Sequence, residues 1–78
     1  MPHGRVKSYN YEEGYGWISV DGVKDVWVHF SGIHPDTIRF PTGFKFLKEG
    51  QIVAFDLREN PFSVEQARVA LNLVIMSD

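Results

Sequence analysis

The side chains with chemistry to offer in this sequence are mostly aromatic. Tyr15, Trp17 and Trp27 stand near its middle, His29 follows Trp27 at a spacing of two, and glycines occupy positions 14 and 16. In an extended strand, residues two apart share a face. Tyr15, Trp17 and Ser19 therefore share one face, and Trp27 and His29 share another. Ile18 and Val20, like Val26 and Val28, point the opposite way. Every nucleobase has a π-face, and stacking on an aromatic ring contributes roughly 1–3 kcal/mol per base. His29 can stack or donate a hydrogen bond. Gly14 and Gly16, lacking side chains, would let a ligand approach the backbone. Lys7, on a neighbouring strand, could meet a phosphate. Aromatics also build the cores of small β domains, and a loop folded over this face as a lid would make it a second small core.

Positioning such a face requires strands. Gly14, Gly16, Gly22, Gly32, Pro35, Pro41, Gly43, Gly50 and Pro61 cut the chain into short segments, which favours an all-β domain. Strands are expected over Val6 to Asn10, Tyr15 to Val20, Asp25 to Phe30, Gln51 to Arg58 and Val69 to Met76, with Asp21-Gly22 as a turn. Val64 to Leu71 also carries apolar residues at helical spacing, although the β-rich run after it argues for strand. Ser31 to Gly50 is a long connection, of a length that is usually functional or holds a short helical turn. Five short strands close into a narrow barrel filled by one face only. The β-branched set Val6, Ile18, Val20, Val26 and Val28 suits that interior. Tyr15, Trp17 and Trp27 then lie outside, adjacent across paired strands. An exposed aromatic patch of this kind points to a binding site.

The whole composition narrows the alternatives. With 78 residues, 44% hydrophobic and 14% aromatic, the chain makes one small domain spanning 1–78. It has no cysteine, so neither a disulfide framework nor a thiolate metal site is available. Eight Lys and Arg against ten Asp and Glu give a net charge of −2, which argues against binding by bulk positive charge. No apolar run approaches the ~20 residues that span a bilayer, and the N-terminal residues have no signal-peptide pattern. A soluble, cytoplasmic protein is expected. His3, His29 and His34 lack ligand spacing for zinc. Gly14-Tyr15-Gly16 is too short for a dinucleotide fingerprint. Glu12-Glu13 reads as a solvated pair, and Ser31 reads as the cap of the turn after the third strand rather than a nucleophile. No catalytic group, metal or cofactor is expected.

Three stretches resemble the bacterial cold-shock protein family. They are Gly4-Arg5-Val6-Lys7-Ser8-Tyr9-Asn10, Gly14-Tyr15-Gly16-Trp17-Ile18 and Asp25-Val26-Trp27-Val28-His29-Phe30-Ser31-Gly32-Ile33. The last two look like the family's ribonucleoprotein motifs. The likeness resumes at Gly43-Phe44-Lys45-Phe46-Leu47-Lys48-Glu49-Gly50-Gln51 and is weak in the last strand. It implies a small five-stranded antiparallel barrel of oligonucleotide-binding (OB) type. It also implies sequence-tolerant binding of single-stranded RNA or DNA, as in RNA chaperones. Carried over residue by residue, Tyr9, Tyr15, Trp17, Trp27, His29, Phe30 and Phe44 form a stacking platform, and Lys7 contacts the nucleic-acid backbone.

The departures from the family pattern are specific. Ser8 stands where the family has tryptophan, and Glu13 where it has lysine. Tyr15, Trp17 and Trp27 replace phenylalanines and keep or enlarge the π surface. The segment His34 to Thr42 is longer than the family's loop. Within it, Arg39 and Phe40 could extend the platform, or Phe40 could pack down as an anchor. The expectation is weaker binding than a typical member's, carried more by stacking than by charge. The alternative is a protein partner on the same aromatic face, favoured if carboxylates rather than Lys7, Lys24, Arg39 and Lys45 frame it. A monomer is expected, with strand exchange between two chains as the other arrangement.

Overall fold

Alternating apolar side chains form strands because one face of each can be buried while the backbone pairs sideways. The computed structural model describes residues 2–22, 25–60 and 66–78. It has strands β1 (His3–Asn10), β2 (Tyr15–Ser19), β3 (Val26–His29), β4 (Ile52–Glu59) and β5 (Arg68–Ser77), with a short 3-10 turn at Phe30–Gly32. β1 starts earlier than the alternation suggests because His3, Gly4 and Arg5 pair with Ala54, Val53 and Ile52 of β4. β3 ends at His29, where the chain tightens into the 3-10 turn. Arg68 to Leu71 is strand, not helix. The rest of the alternative helix falls partly outside the described residues.

The strands close into a barrel in the order β1-β2-β3-β5-β4, and β1 paired with β4 completes the ring. All pairings are antiparallel except β3 with β5, which runs parallel through Trp27 and Val69 and is extended by a parallel bridge between Ile33 and Leu73. A ring with an odd number of strands cannot alternate direction all the way round. One parallel seam is therefore required of the five-stranded barrel.

The interior is the expected β-branched set with larger additions. Val6, Ile18, Val26 and Val28 are fully buried, and Val20 is partly so. Val53, Phe55, Ala70 and Leu73 complete the barrel core from β4 and β5. The long connection adds Ile33, Phe40 and Leu47 to the same cluster. Phe40 is thus the anchor, not an extension of the platform. The one buried polar side chain among the described residues, Gln51, is satisfied. Its Oε1 accepts the Lys48 N–H and its Nε2 donates to Asp78.

Candidate nucleic-acid interface

A β-bulge sets the outward face of β1. Val6 pairs with Ile18, but the next pair is Ser8 with Trp17, so Lys7 is the extra residue on β1. An inserted residue breaks the two-residue alternation. Val6 therefore points into the core while Ser8, two positions on, is exposed. Ser8 then shares the outward face with Trp17, at the place where a larger side chain would widen the platform.

The rings on that face form a continuous row. Trp17 pairs with Trp27, and Tyr15 with His29, across β2 and β3. The Tyr15 and Trp27 ring centres are 6.2 Å apart. Trp27 and His29 stack at 5.7 Å with 25° between planes, and His29 lies 4.2 Å from Phe30. Tyr15, Trp17, Trp27 and His29 are half-buried, and Phe30 is exposed. No loop among the described residues covers Phe30 or Phe44, which keep 46% and 57% of their surface.

Phe30 leads from this row to a second group. Tyr9, Gly14, Phe30, Gly43, Phe44 and Lys45 line a cleft of about 160 Å³. Phe44 stacks on Phe46 at 5.9 Å, and Phe46 meets buried Phe40 edge-on at 5.6 Å. The long connection therefore presents Phe44 on an aromatic stem rooted in the core. Tyr9 packs partly against the core and meets Tyr11 edge-on at 5.6 Å. Its hydroxyl is buried with no hydrogen-bond partner among the described residues. That burial, with Tyr11 beside it, raises the Tyr9 phenol above its ordinary pKa.

Gly14 and Gly16 are required by packing. A Cβ on Gly14 would come within 2.7 Å of the Phe30 ring, and one on Gly16 within 2.3 Å of the Ser8 carbonyl oxygen. Gly14, at φ 75°, ends the turn between β1 and β2 and gives the Phe30 ring its seat. The Asn10 side chain holds that turn by accepting the N–H groups of Glu12 and Glu13.

Of the cations weighed as a frame for the face, Lys7, Arg39 and Lys45 have partners of their own, and Lys45 also lines the cleft. Lys7 is exposed and pairs with Asp25 at 2.7 Å. Arg39 pairs with Asp78 at 2.9 Å. Lys45 donates to the Ile33 carbonyl at 3.1 Å. Lys24 lies outside the described residues. Hydrogen bonds from Gln51 and then Arg39 hold the Asp78 carboxyl below its ordinary pKa. No cluster of His, Asp or Glu among the described residues could hold a metal. Among the described residues, no helix is long and apolar enough to cross a membrane.

The platform residues expected at Tyr9, Tyr15, Trp17, Trp27, His29, Phe30 and Phe44 thus fall into a row and an adjoining cleft. Lys7 is ion-paired with Asp25. Sequence reasoning did not foresee Tyr11, 53% exposed beside Tyr9 and Phe46. It also assigned the cap of the 3-10 turn to Ser31. The cap is His29, whose side chain accepts the Ser31 N–H.

Known proteins resemble the chain along most of its length. The family model described as the 'Cold-shock' DNA-binding domain matches residues 2–72. Cold shock-like protein CspB of Bacillus cereus is 44% identical over 68 residues, covering 87% of this chain and 95% of the relative. Cold shock-like protein CspD of the same organism is 43% identical over 72 residues, covering 92% and 100%. Cold shock protein CspA of Staphylococcus aureus (strain USA300) is 44% identical over 69 residues, covering 88% and 96%. A five-stranded barrel with outward rings on β2 and β3, matched along most of its length, places the chain in the cold-shock domain family, which is nucleic-acid-binding and non-enzymatic.

Proposed function

We propose that this domain binds single-stranded RNA or DNA, in the manner of an RNA chaperone, through Lys7, Tyr9, Tyr15, Trp17, Trp27, His29, Phe30 and Phe44. The observation that carries the reading is the uninterrupted row Tyr15, Trp27, His29 and Phe30 on one outward face. A flexible single strand can lay successive bases along such a row without reading their edges. Affinity is lower than that of a relative with tryptophan at position 8 and lysine at position 13. One stack is missing, Glu13 is an anion at the edge, and Lys7 must exchange Asp25 for a phosphate.

A titration with a pyrimidine-rich single-stranded oligonucleotide in low salt tests this. Binding quenches the fluorescence of Trp17 and Trp27. Trp17→Ala and Trp27→Ala each weaken affinity by roughly 5- to 150-fold, the equivalent of one base stack. Unchanged fluorescence at roughly tens of micromolar protein, or unchanged affinity in both variants, would reject the platform. The magnitude of the log–log salt slope stays below ~2, about three single-strand phosphate contacts. A steep slope would mean that charge, not stacking, carries the complex.

A further inference from the structure

The imidazole of His29 does a job usually given to serine or aspartate. It caps the 3-10 turn Phe30–Gly32, with Nδ1 accepting the Ser31 backbone N–H at 3.3 Å. The Ser31 hydroxyl oxygen lies 2.8 Å from the same nitrogen. Two groups therefore converge on one ring lone pair. An amide N–H can only donate. A proton on Nδ1 would face that N–H, so the contact favours an Nδ1 that carries none and accepts from the hydroxyl as well. The neutral ring then holds its proton on Nε2.

We infer that Ser31 is a positioning residue for His29, its backbone N–H holding the ring in the Nε2–H tautomer and its hydroxyl fixing the ring edge, so that the platform presents a hydrogen-bond donor to a bound base. The inference rests on the platform reading above. Ring orientation is part of it, since His29 is fixed at 25° to Trp27 while its edge is held by Ser31. The ligand group that matches is a base acceptor, a keto oxygen or an unprotonated ring nitrogen. There is room for one beside the ring. Trp27, His29, Ser31, Gly32, Val69, Ala70 and Leu71 line a groove of about 270 Å³ at the β3–β5 seam. The Ser31 hydroxyl proton is committed to Nδ1, which leaves Nε2–H as this ring's donor for a ligand.

Two-bond proton–nitrogen correlation spectra separate the two tautomers and test the positioning directly. His29 is the Nε2–H form in the wild type, in Ser31→Thr and in Ser31→Ala, which keeps the backbone N–H. Binding of an oligothymidylate tests the consequence. Ser31→Ala weakens it by roughly 2- to 10-fold, the range set by one hydrogen bond, and Ser31→Thr restores it. In a His29→Phe background, which keeps a ring but no donor, Ser31→Ala changes nothing further. An Nδ1–H tautomer in the wild type overturns the proposal. So does an equal loss from Ser31→Ala whether position 29 is histidine or phenylalanine, because Ser31 would then act without His29. If the wild type binds no oligonucleotide, the platform reading fails and takes the base donor with it. The spectra still decide whether the Ser31 backbone N–H sets the tautomer.

Discussion

Ser8 and Trp17 face each other across β1 and β2 on the outward side, so position 8 adjoins the aromatic row. Ser8→Trp adds a ring there without touching the core, because the serine is exposed. The expected gain in oligonucleotide affinity is that of one stack, about 1–3 kcal/mol, measured by the same quenching titration. Glu13→Lys removes an anion and supplies a cation in the turn that Asn10 holds. It tightens binding and steepens the salt slope by about 0.7 per phosphate engaged. If it does neither, that edge does not meet phosphate. Tyr9 is the reverse case, since its hydroxyl is buried without a partner. Tyr9→Phe removes an unsatisfied group whose burial costs about 1–3 kcal/mol, so the variant unfolds at higher denaturant concentration. The raised phenol pKa fixes the sign with pH. Stability is intact below the ordinary tyrosine pKa, falls as pH rises through the raised one, and falls less in Tyr9→Phe. Most residues of the candidate site were legible in the sequence because alternation and motif name ring positions. The roles of Gly14, Gly16 and Ser31 were not, because each depends on a neighbour brought up by the fold.

At the scale of elements, the strands were legible because their apolar residues alternate, and the seams were not. Strict alternation assigns Val6 and Ser8 to one face, and only the extra residue at Lys7 separates them. β5 likewise carries extra residues against β4 at two places, one beside Asn72, which has φ 52° and donates to Asp56. Such bulges leave no mark on composition. They bend the strand that the barrel must curve. The glycines at close seams make this testable. A Cβ at Gly16 would meet the Ser8 carbonyl oxygen at 2.3 Å and the Tyr9 Cα at 2.9 Å, both backbone. Neither can give way unless β1 and β2 part. Gly16→Ala therefore destabilises by at least the ~1–3 kcal/mol of an overpacked site. It also weakens oligonucleotide binding, because Tyr9, Tyr15 and Trp17 ride on those two strands. Gly22→Ala is the comparison. Nothing lies within 4 Å of its Cβ, so its cost is limited to the left-handed backbone at φ 74°, about 1–2 kcal/mol. Thermal unfolding of the two variants ranks them, and equal losses would show that the β1–β2 contact is not tight.

For the molecule as a whole, the question is what holds a connection as long as 31–50 against a barrel this small. A chain of 78 residues has roughly 4–12 kcal/mol of total stability to lose. Besides backbone hydrogen bonds such as His34 N–H to the Leu73 carbonyl, two sets of side-chain contacts hold the connection. Ile33, Phe40 and Leu47 are buried in the barrel's own cluster. Arg39 and Gln51 meet on Asp78 at 2.9 and 2.8 Å. The Arg39–Asp78 pair of this clasp is open to water, and exposed ion pairs are screened by salt. The apolar anchors therefore dominate. Leu47→Ala costs about 2–5 kcal/mol, a large share of the whole, and shows as a much lower denaturation midpoint. Since Phe44 stands on the same connection through Phe46 and Phe40, Leu47→Ala also weakens oligonucleotide binding in the folded fraction. Asp78→Asn leaves the midpoint nearly unchanged at neutral pH. Its effect follows the depressed carboxyl. The clasp's contribution is present above the ordinary aspartate pKa and fades as pH falls through the lower folded value, so wild type and Asp78→Asn converge in acid. A large loss from Asp78→Asn at neutral pH, with a small one from Leu47→Ala, would reverse the ranking. The connection would then be latched by charge, and binding through Phe44 would become strongly dependent on salt.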